Sequence, residues 1–220
     1  MEIIYHGHSC VQINNIIIDP WISDNPMCKT KLSDIKVDYI LLTHGHNDHV
    51  GDTFELAQQN DALVISNVEI AEYFEELGLK TFGMQPGGQY EFDFGKVKMT
   101  PAIHGSSYTQ ADGVNVPLGL AVGFIVTIDD KRIYHAGDTA LFSDMKLIKD
   151  IDVAFVPIGD VYTMGIVDAA ECVKWLQPKI VVPIHYNTFD LIKADVNEFK
   201  NMLKATKVVA LGPGERLNSL

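Results

Sequence analysis

Apolar residues recur along this chain in short runs and in alternation with polar ones, the two-residue period of strands, and these stretches are separated by segments with helical spacing. Ile3, Ile4 and Tyr5 run into a Gly-containing turn, 10–13 pairs back, and Asn14-Asn15 interrupts the chain before Ile16-Ile17-Ile18, which predicts two or three short strands closed by Asp19. The run 37–42 reads as a strand and 51–57 as the start of a helix. A buried strand at 61–65 leads to Ser66-Asn67-Val68-Glu69, a capping-box pattern that opens a helix ended by Gly78. After the Pro86-Gly87-Gly88 turn, 89–94 and 96–100 alternate about Gly95 as a half-buried hairpin would. A second hairpin, 120–128 with 132–135, turns at Asp129-Asp130. Strands at 153–156 and 180–182 flank a helix over about 168–176 that Asp168 with Glu171 would cap, and a helix over about 196–205, capped by Asp195, precedes a last strand at 208–210.

Strands interleaved with about five helices, several of them paired through hairpins, predict an α/β (α+β layered) protein: two mostly antiparallel mixed sheets packed face to face, with helices outside, an αββα sandwich. The chain divides into two β-rich, helix-bearing halves near Gly95, without a sequence repeat or linker between them. At 220 residues and 47% hydrophobic content, a single domain over 1–220 with its own core is expected.

Composition narrows the function. No basic stretch followed by an apolar run stands at Met1 and no apolar run approaches the ~20 residues that span a bilayer, so a cytoplasmic protein without a membrane partner is expected. Cys10, Cys28 and Cys172, odd in number and far apart, fit reduced thiols. The formal charge of −12 and a complement of two arginines, Arg132 and Arg216, argue against nucleic acid, which is bound by neutralising phosphates. A small-molecule substrate remains, and bound cations would let it be anionic. Lys29, Lys31 and Lys193 read as solvated surface charges, and a homo-oligomer is compatible with this composition.

The densest chemistry is Thr43-His44-Gly45-His46-Asn47-Asp48-His49, between the 37–42 strand and the following helix. Residues two apart at a strand end point to one side, so His44, His46 and Asp48 can converge while His49 swings round as the helix begins. Imidazole nitrogen and carboxylate oxygen are ligands of Zn²⁺ and neighbouring divalent ions, and one ion with an open position needs three of them. Four in one loop, with further His downstream, point to two ions.

A strand ending in T-H-x-H-x-D-H, followed by the lone His104, by Asp138 in Gly137-Asp138-Thr139 and by His185 in Pro183-Ile184-His185-Tyr186, resembles the metallo-beta-lactamase superfamily. With Tyr5-His6-Gly7-His8-Ser9, Ile18-Asp19-Pro20 and Pro157-Ile158-Gly159-Asp160, the chain is similar nearly end to end to small single-domain metal-dependent hydrolases related to L-ascorbate-6-phosphate lactonase. The resemblance implies a metallo-beta-lactamase-like sandwich in which strand-end ligands meet at one rim. It implies His44, His46 and His104 on one ion, Asp48, His49 and His185 on a second, and Asp138 bridging them. Zn²⁺ is the expected metal of the pair, and Mn²⁺ or Fe²⁺ suits the same ligands. Asp19 would then accept from an imidazole N–H or the loop backbone, His8 would sit at the site edge against substrate, and Asp160 and Tyr186 would give supporting contacts. His6 and His135 fall to supporting or core roles. The long polar segment 105–117 would be a lid or a substrate wall, and the loop 21–34 would pass the mouth of the site.

The chemistry implied is hydrolysis of a small ester, lactone or phosphoester by a hydroxide bridging two divalent ions, with Asp48 and Asp138 as the catalytic carboxylates. Two alternatives share the fold. A nuclease or phosphodiesterase is opposed by the acidity of the chain, and a di-iron oxidoreductase by His at position 46 and by a length too short for a flavin domain.

Overall fold

The computed structural model describes residues 1–217. Its strands are β1 (Ile3–Gly7), β2 (Cys10–Ile13), β3 (Ile16–Ile18), β4 (Tyr39–Leu41), β5 (Leu63–Asn67), β6 (Thr81–Met84), β7 (Gln89–Phe92), β8 (Gly95–Pro101), β9 (Ser107–Thr109), β10 (Asn115–Pro117), β11 (Val122–Ile128), β12 (Lys131–His135), β13 (Val153–Pro157), β14 (Ile180–Ile184) and β15 (Lys207–Val208). The α-helices are α1 (Asn47–Val50), α2 (Thr53–Asn60), α3 (Val68–Glu76), α4 (Ile166–Leu176) and α5 (Val196–Met202).

One sheet runs β1-β2-β3-β4-β5-β6 and the other β15-β14-β13-β12-β11-β8-β7. Strand alternation explains how they stack. Ile16 and Ile18 join Val11, Leu41 and Ile65 in a core shared with Val97, Phe124, Val126, Val153 and Val182 of the second sheet. Ile17, Ile40 and Val64 point the other way, onto a cluster with Leu56 of α2 and Phe74 of α3. On the far face of the second sheet Ile125, Ala154 and Val181 pack with Val173 of α4 and Phe199 of α5. The central strands therefore feed an inner and an outer core, and the helix-sheet-sheet-helix layering follows.

The sheets are mixed, as expected, but less antiparallel than the hairpin signals imply. β1–β3 form an antiparallel meander and β3–β6 pair parallel, and β7, β8, β11 and β12 are antiparallel while β12–β15 pair parallel. Crossovers through α2, α3, α4 and α5 return the chain to the same end before the next strand, and parallel neighbours result. The division between halves falls between Met84 and Gln89 rather than at Gly95, because the β7–β8 hairpin joins the second sheet.

Local expectations shift where tertiary pairing intervenes. Ser66 stays in β5, donating its hydroxyl to Leu42 O at 2.7 Å, and Asn67 caps α3 by accepting from Ile70 N–H at 2.7 Å. Helix α4 starts at Ile166 behind Gly165, so Asp168 lies inside its first turn and Glu171 instead accepts from Trp175 Nε1–H at 2.8 Å. Asp195 caps α5 as expected. Asp129 and Asp130 both adopt left-handed φ, 49° and 59°, which suits a tight turn between β11 and β12. No helix is long and apolar enough to cross a membrane among the described residues, and all three cysteines are free.

Candidate metal centre

Every side chain of the site stands just beyond a strand. His8 is in the β1–β2 turn and Asp19 follows β3. The 43–49 segment follows β4, His104 follows β8, Asp138 follows β12, and His185 follows β14. Because β8 and β12 both run antiparallel to β11, and β14 is parallel to β12 through β13, their carboxyl ends share an edge. Ligands far apart in the chain meet there.

The potential ligand atoms fall into three overlapping groups, each within 4.8 Å: His44, His46 and His104; His44, His49 and Asp138; and His8, Asp48, His49 and His185. All seven residues expected from the sequence are present, and His8 is an eighth. Asp138 lies at the centre, its Oδ2 2.9 Å from His185 Nε2, 3.4 Å from His49 Nε2, 3.7 Å from His104 Nε2 and 3.9 Å from His44 Nε2. Gly137 makes this placement feasible: its φ is 63°, and a Cβ there would meet Val122 O at 2.6 Å. His135 locks the same turn, with Nε2–H donating to Ser9 O at 2.9 Å and Nδ1 accepting from Gly137 N–H at 3.2 Å.

Asp19, fully buried, organises the floor. Its carboxylate accepts from Thr43 N–H at 2.8 Å, Thr43 Oγ1–H at 2.7 Å and His49 Nδ1–H at 2.8 Å. The Thr43 hydroxyl proton is thereby committed, so at 2.9 Å His44 Nδ1–H must donate to that oxygen, and the His44 Nε2 lone pair faces the site, 3.0 Å from His46 Nδ1. Asp19 likewise accepts from His49 Nδ1–H, which turns His49 Nε2 toward the site. An acidic partner on the outer nitrogen of a histidine is the usual support of a metal ligand.

Three residues of this rim depart from the usual backbone regions. His8, Asp19 and His185 all hold left-handed φ, 55°, 50° and 51°. Such conformations persist in non-glycine residues only where surrounding contacts over-determine them. Gly51 closes α1 at φ 43°, with space for a Cβ denied by Trp21 Cα at 2.5 Å, which seats the 43–51 loop against the 20–23 segment.

His49 Nε2, Asp138 Oδ1 and His185 Nδ1 are buried without a hydrogen-bond partner. Unsatisfied polar atoms are rare and costly in a folded interior, and an imidazole nitrogen and a carboxylate oxygen left so within the cluster, His49 Nε2 and Asp138 Oδ1, fit divalent cations with nitrogen and oxygen ligands. Burial, aided by neighbouring rings, holds His44 well below the usual imidazole range, and burial lowers His46 and His104, so this trio is neutral, as a ligand must be. Burial also opposes charge on His49, but the carboxylates of Asp138 and Asp19 overcome it and raise its pKa well above normal. Burial, reinforced by His185, pushes His8 down to about 4. Asp48 falls below the usual carboxylate range because the His8 hydrogen bond and the His49 charge outweigh burial.

These directions set the acid response of the metal-free protein. Six histidines, His6, His8, His44, His46, His104 and His135, have lowered pKa values when folded. The stability each contributes is full above the unfolded value near 6.5 and is lost as pH falls below it, because the unfolded chain then binds more protons. His49 alone acts in the opposite sense among these shifted groups. The chelated protein is therefore expected to melt at a lower temperature at pH 5.5 than at pH 7.5 by differential scanning calorimetry; an equal or higher Tm at pH 5.5 contradicts this reading.

The other expected site residues divide. Asp160 is not brought to the centre: it sits in an exposed turn at φ 61°, its Oδ1 accepting from Val161 N–H at 2.8 Å. Tyr186 packs on the outer core with α4 and α5, because the chain turns at His185 and sends the next side chain to the other face. His6 bonds Thr30 and Gln12 away from the cluster. The 105–117 segment is a β9–β10 hairpin fastened to the metal loop: Asn47 Oδ1 accepts from Thr109 N–H at 3.1 Å and Asn47 Nδ2–H donates to Thr109 O at 2.9 Å. Its Tyr108 lines the cleft beside His46 and Asp48. The aromatic pair Trp21 and Phe189 beside His8 had no local signal beyond the loop position of Trp21.

A family model described as the beta-lactamase superfamily domain matches residues 14–186. A UPF0173 metal-dependent hydrolase of Anoxybacillus flavithermus is 53% identical over 220 residues, covering 96% of this chain and 98% of its own. One of Enterococcus faecalis is 50% identical over 225 residues, covering 99% of each. Among solved structures, Igni18, described as a novel metallo hydrolase from the hyperthermophilic archaeon Ignicoccus hospitalis, matches with a TM-score of 0.87 at 38% identity, over 98% of this chain and 97% of that one.

Proposed function

The chain belongs to the beta-lactamase superfamily, among its metal-dependent hydrolases, and from that premise we propose that it hydrolyses a small ester, lactone or phosphoester with two divalent ions. The observation that carries this reading is the convergence at one rim of the seven side chains assigned below to the ions, Asp138 among them, with His49 Nε2 and Asp138 Oδ1 buried and unpartnered. His44, His46 and His104 would hold one ion, Asp48, His49 and His185 the other, and Asp138 would stand between them. Zn²⁺, Mn²⁺ and Fe²⁺ all accept this mixed donor set. When bound, such a pair supplies a hydroxide nucleophile at neutral pH and an electrophile for the developing oxyanion.

The protein's own groups do the rest. Asp48, side chain 30% exposed at the mouth, is the carboxylate placed to orient water and accept its proton. His8 Nε2 lies 3.2 Å from Asp48 Oδ2, and Thr188 Oγ1 lies 2.9 Å from His8 Nδ1, a relay that sets the carboxylate's direction. His8→Gln is expected to lower kcat about 10- to 100-fold while the protein still folds, the range for losing a partner that orients a ligand; kcat within twofold of the parent would remove His8 from the site. The reading as a whole is tested by screening metal-reconstituted protein against chromogenic lactones, thioesters and phosphodiesters, with metal-stripped protein as the control. Turnover that does not require metal would reject it.

A further inference from the structure

The candidate centre opens through His46 and Asp48 into a cleft of about 640 Å³. Its other charged lining side chains are Asp24, Asp52 and Glu55, and its aromatic ones are Trp21, Tyr108 and Phe189; no Lys or Arg lines it among the described residues. Trp21 and Phe189 are 5.8 Å apart, each packed against His8, at 5.1 and 5.7 Å. Phe189 is 41% exposed, an aromatic face left to solvent beside the cluster. Asp52 is spent on the wall itself, accepting from Ile22 N–H at 2.7 Å and Ser23 N–H at 2.9 Å, whereas Asp24 and Glu55 are exposed.

Charge decides what such a cleft admits. The four lining carboxylates stand above buried Asp19 and Asp138, and these six negative charges exceed the four positive charges of two divalent ions. An anionic substrate would approach a net negative mouth on a protein of formal charge −12. A cation meets the opposite field, and ring faces next to carboxylates are the surroundings that hold an ammonium group.

We infer that the cleft selects an ester or lactone whose non-reacting part carries an ammonium group on an apolar stem, seated against Trp21 and Phe189 with Asp24 and Glu55 around it, and that it excludes anionic substrates. This inference rests on the hydrolase reading and names its substrate class. It removes the phosphoester from the range left open above.

The test uses metal-reconstituted protein and three 4-nitrophenyl esters of matched acyl length, ending in trimethylammonium, tert-butyl or carboxylate. At low ionic strength kcat/KM for the cationic ester is expected to exceed that for the anionic one by about tenfold or more, and the gap to narrow as salt is added. The double substitution Asp24→Asn with Glu55→Gln is expected to shrink the ratio to about threefold or less. Equal or reversed ranking in the parent protein overturns the inference while leaving the hydrolase reading intact. If none of the esters is cleaved, it is the hydrolase reading that loses support, and the cleft is read by binding alone: quenching of fluorescence by phenyltrimethylammonium against benzoate, with Trp21→Phe to subtract Trp175. Tighter binding of the cation sustains the inference, and tighter benzoate binding, or no binding of either, overturns it.

Discussion

Asp138→Ala is expected to lower kcat/KM by at least about a thousandfold, equivalent to about 4 kcal/mol of transition-state stabilisation. Its Oδ2 is within 4 Å of a nitrogen of four candidate ligands, His44, His49, His104 and His185. Burial works against its ionisation, but His185 and His49 hold its pKa well below the carboxylate range, so a full negative charge is kept in a site only 2% exposed. Alanine removes that charge and leaves four rings facing one another around a gap. Bound metal measured by plasma mass spectrometry after dialysis should fall together with activity. Asp138→Asn, which keeps the shape and loses the charge, separates loss of metal from misfolding, since its near-ultraviolet circular dichroism should match the parent. Activity within tenfold of the parent at full metal content, in either variant, would contradict the central role of Asp138.

The second large effect is expected at a residue that touches no open space. Asp19→Asn should destabilise the metal-free protein by about 3 kcal/mol and weaken metal binding about 10- to 100-fold. Asparagine tolerates the φ of 50°, so the backbone is not the issue. The difficulty is donor against donor. Three hydrogens, from Thr43 N, Thr43 Oγ1 and His49 Nδ1, converge on two carboxylate oxygens, and an amide replaces one of those oxygens with an NH₂ group. At least one buried donor then loses its acceptor, and if Thr43 turns, the tautomer of His44 is released too. Urea denaturation of chelated protein and metal titration against a competing chelator measure the two halves separately. An unchanged urea midpoint together with metal affinity within twofold of the parent would show that Asp19 does not support the site.

Much of the layered fold was legible because strand alternation is a local signal. Ile16-Ile17-Ile18 and Val153-Ala154-Phe155-Val156 can be buried on both faces only between two cores, and the structure puts one core on each side of them. Helix starts were less legible: Ser66 and Asp168 carry the right cap chemistry, but pairing of β5 with β6 and the start of α4 behind Gly165 decided the boundaries. The parallel half of each sheet was hidden, since no residue records on which side of a neighbour its strand will return.

The same contrast holds at the candidate centre. By itself the sequence determined the metal loop, because His44, His46, Asp48 and His49 are near neighbours on one strand-turn-helix passage and cannot avoid one another. His104, Asp138 and His185 were carried by resemblance, each being an isolated residue in an ordinary turn. Only the tertiary structure decided that His8 joins the cluster, that Asp160 and Tyr186 do not, and that the cleft above is walled by carboxylates and aromatic rings. Those outcomes depend on strand order and on left-handed turns at His8 and His185, which set where a side chain ends up in space through contacts made by residues more than a hundred positions away.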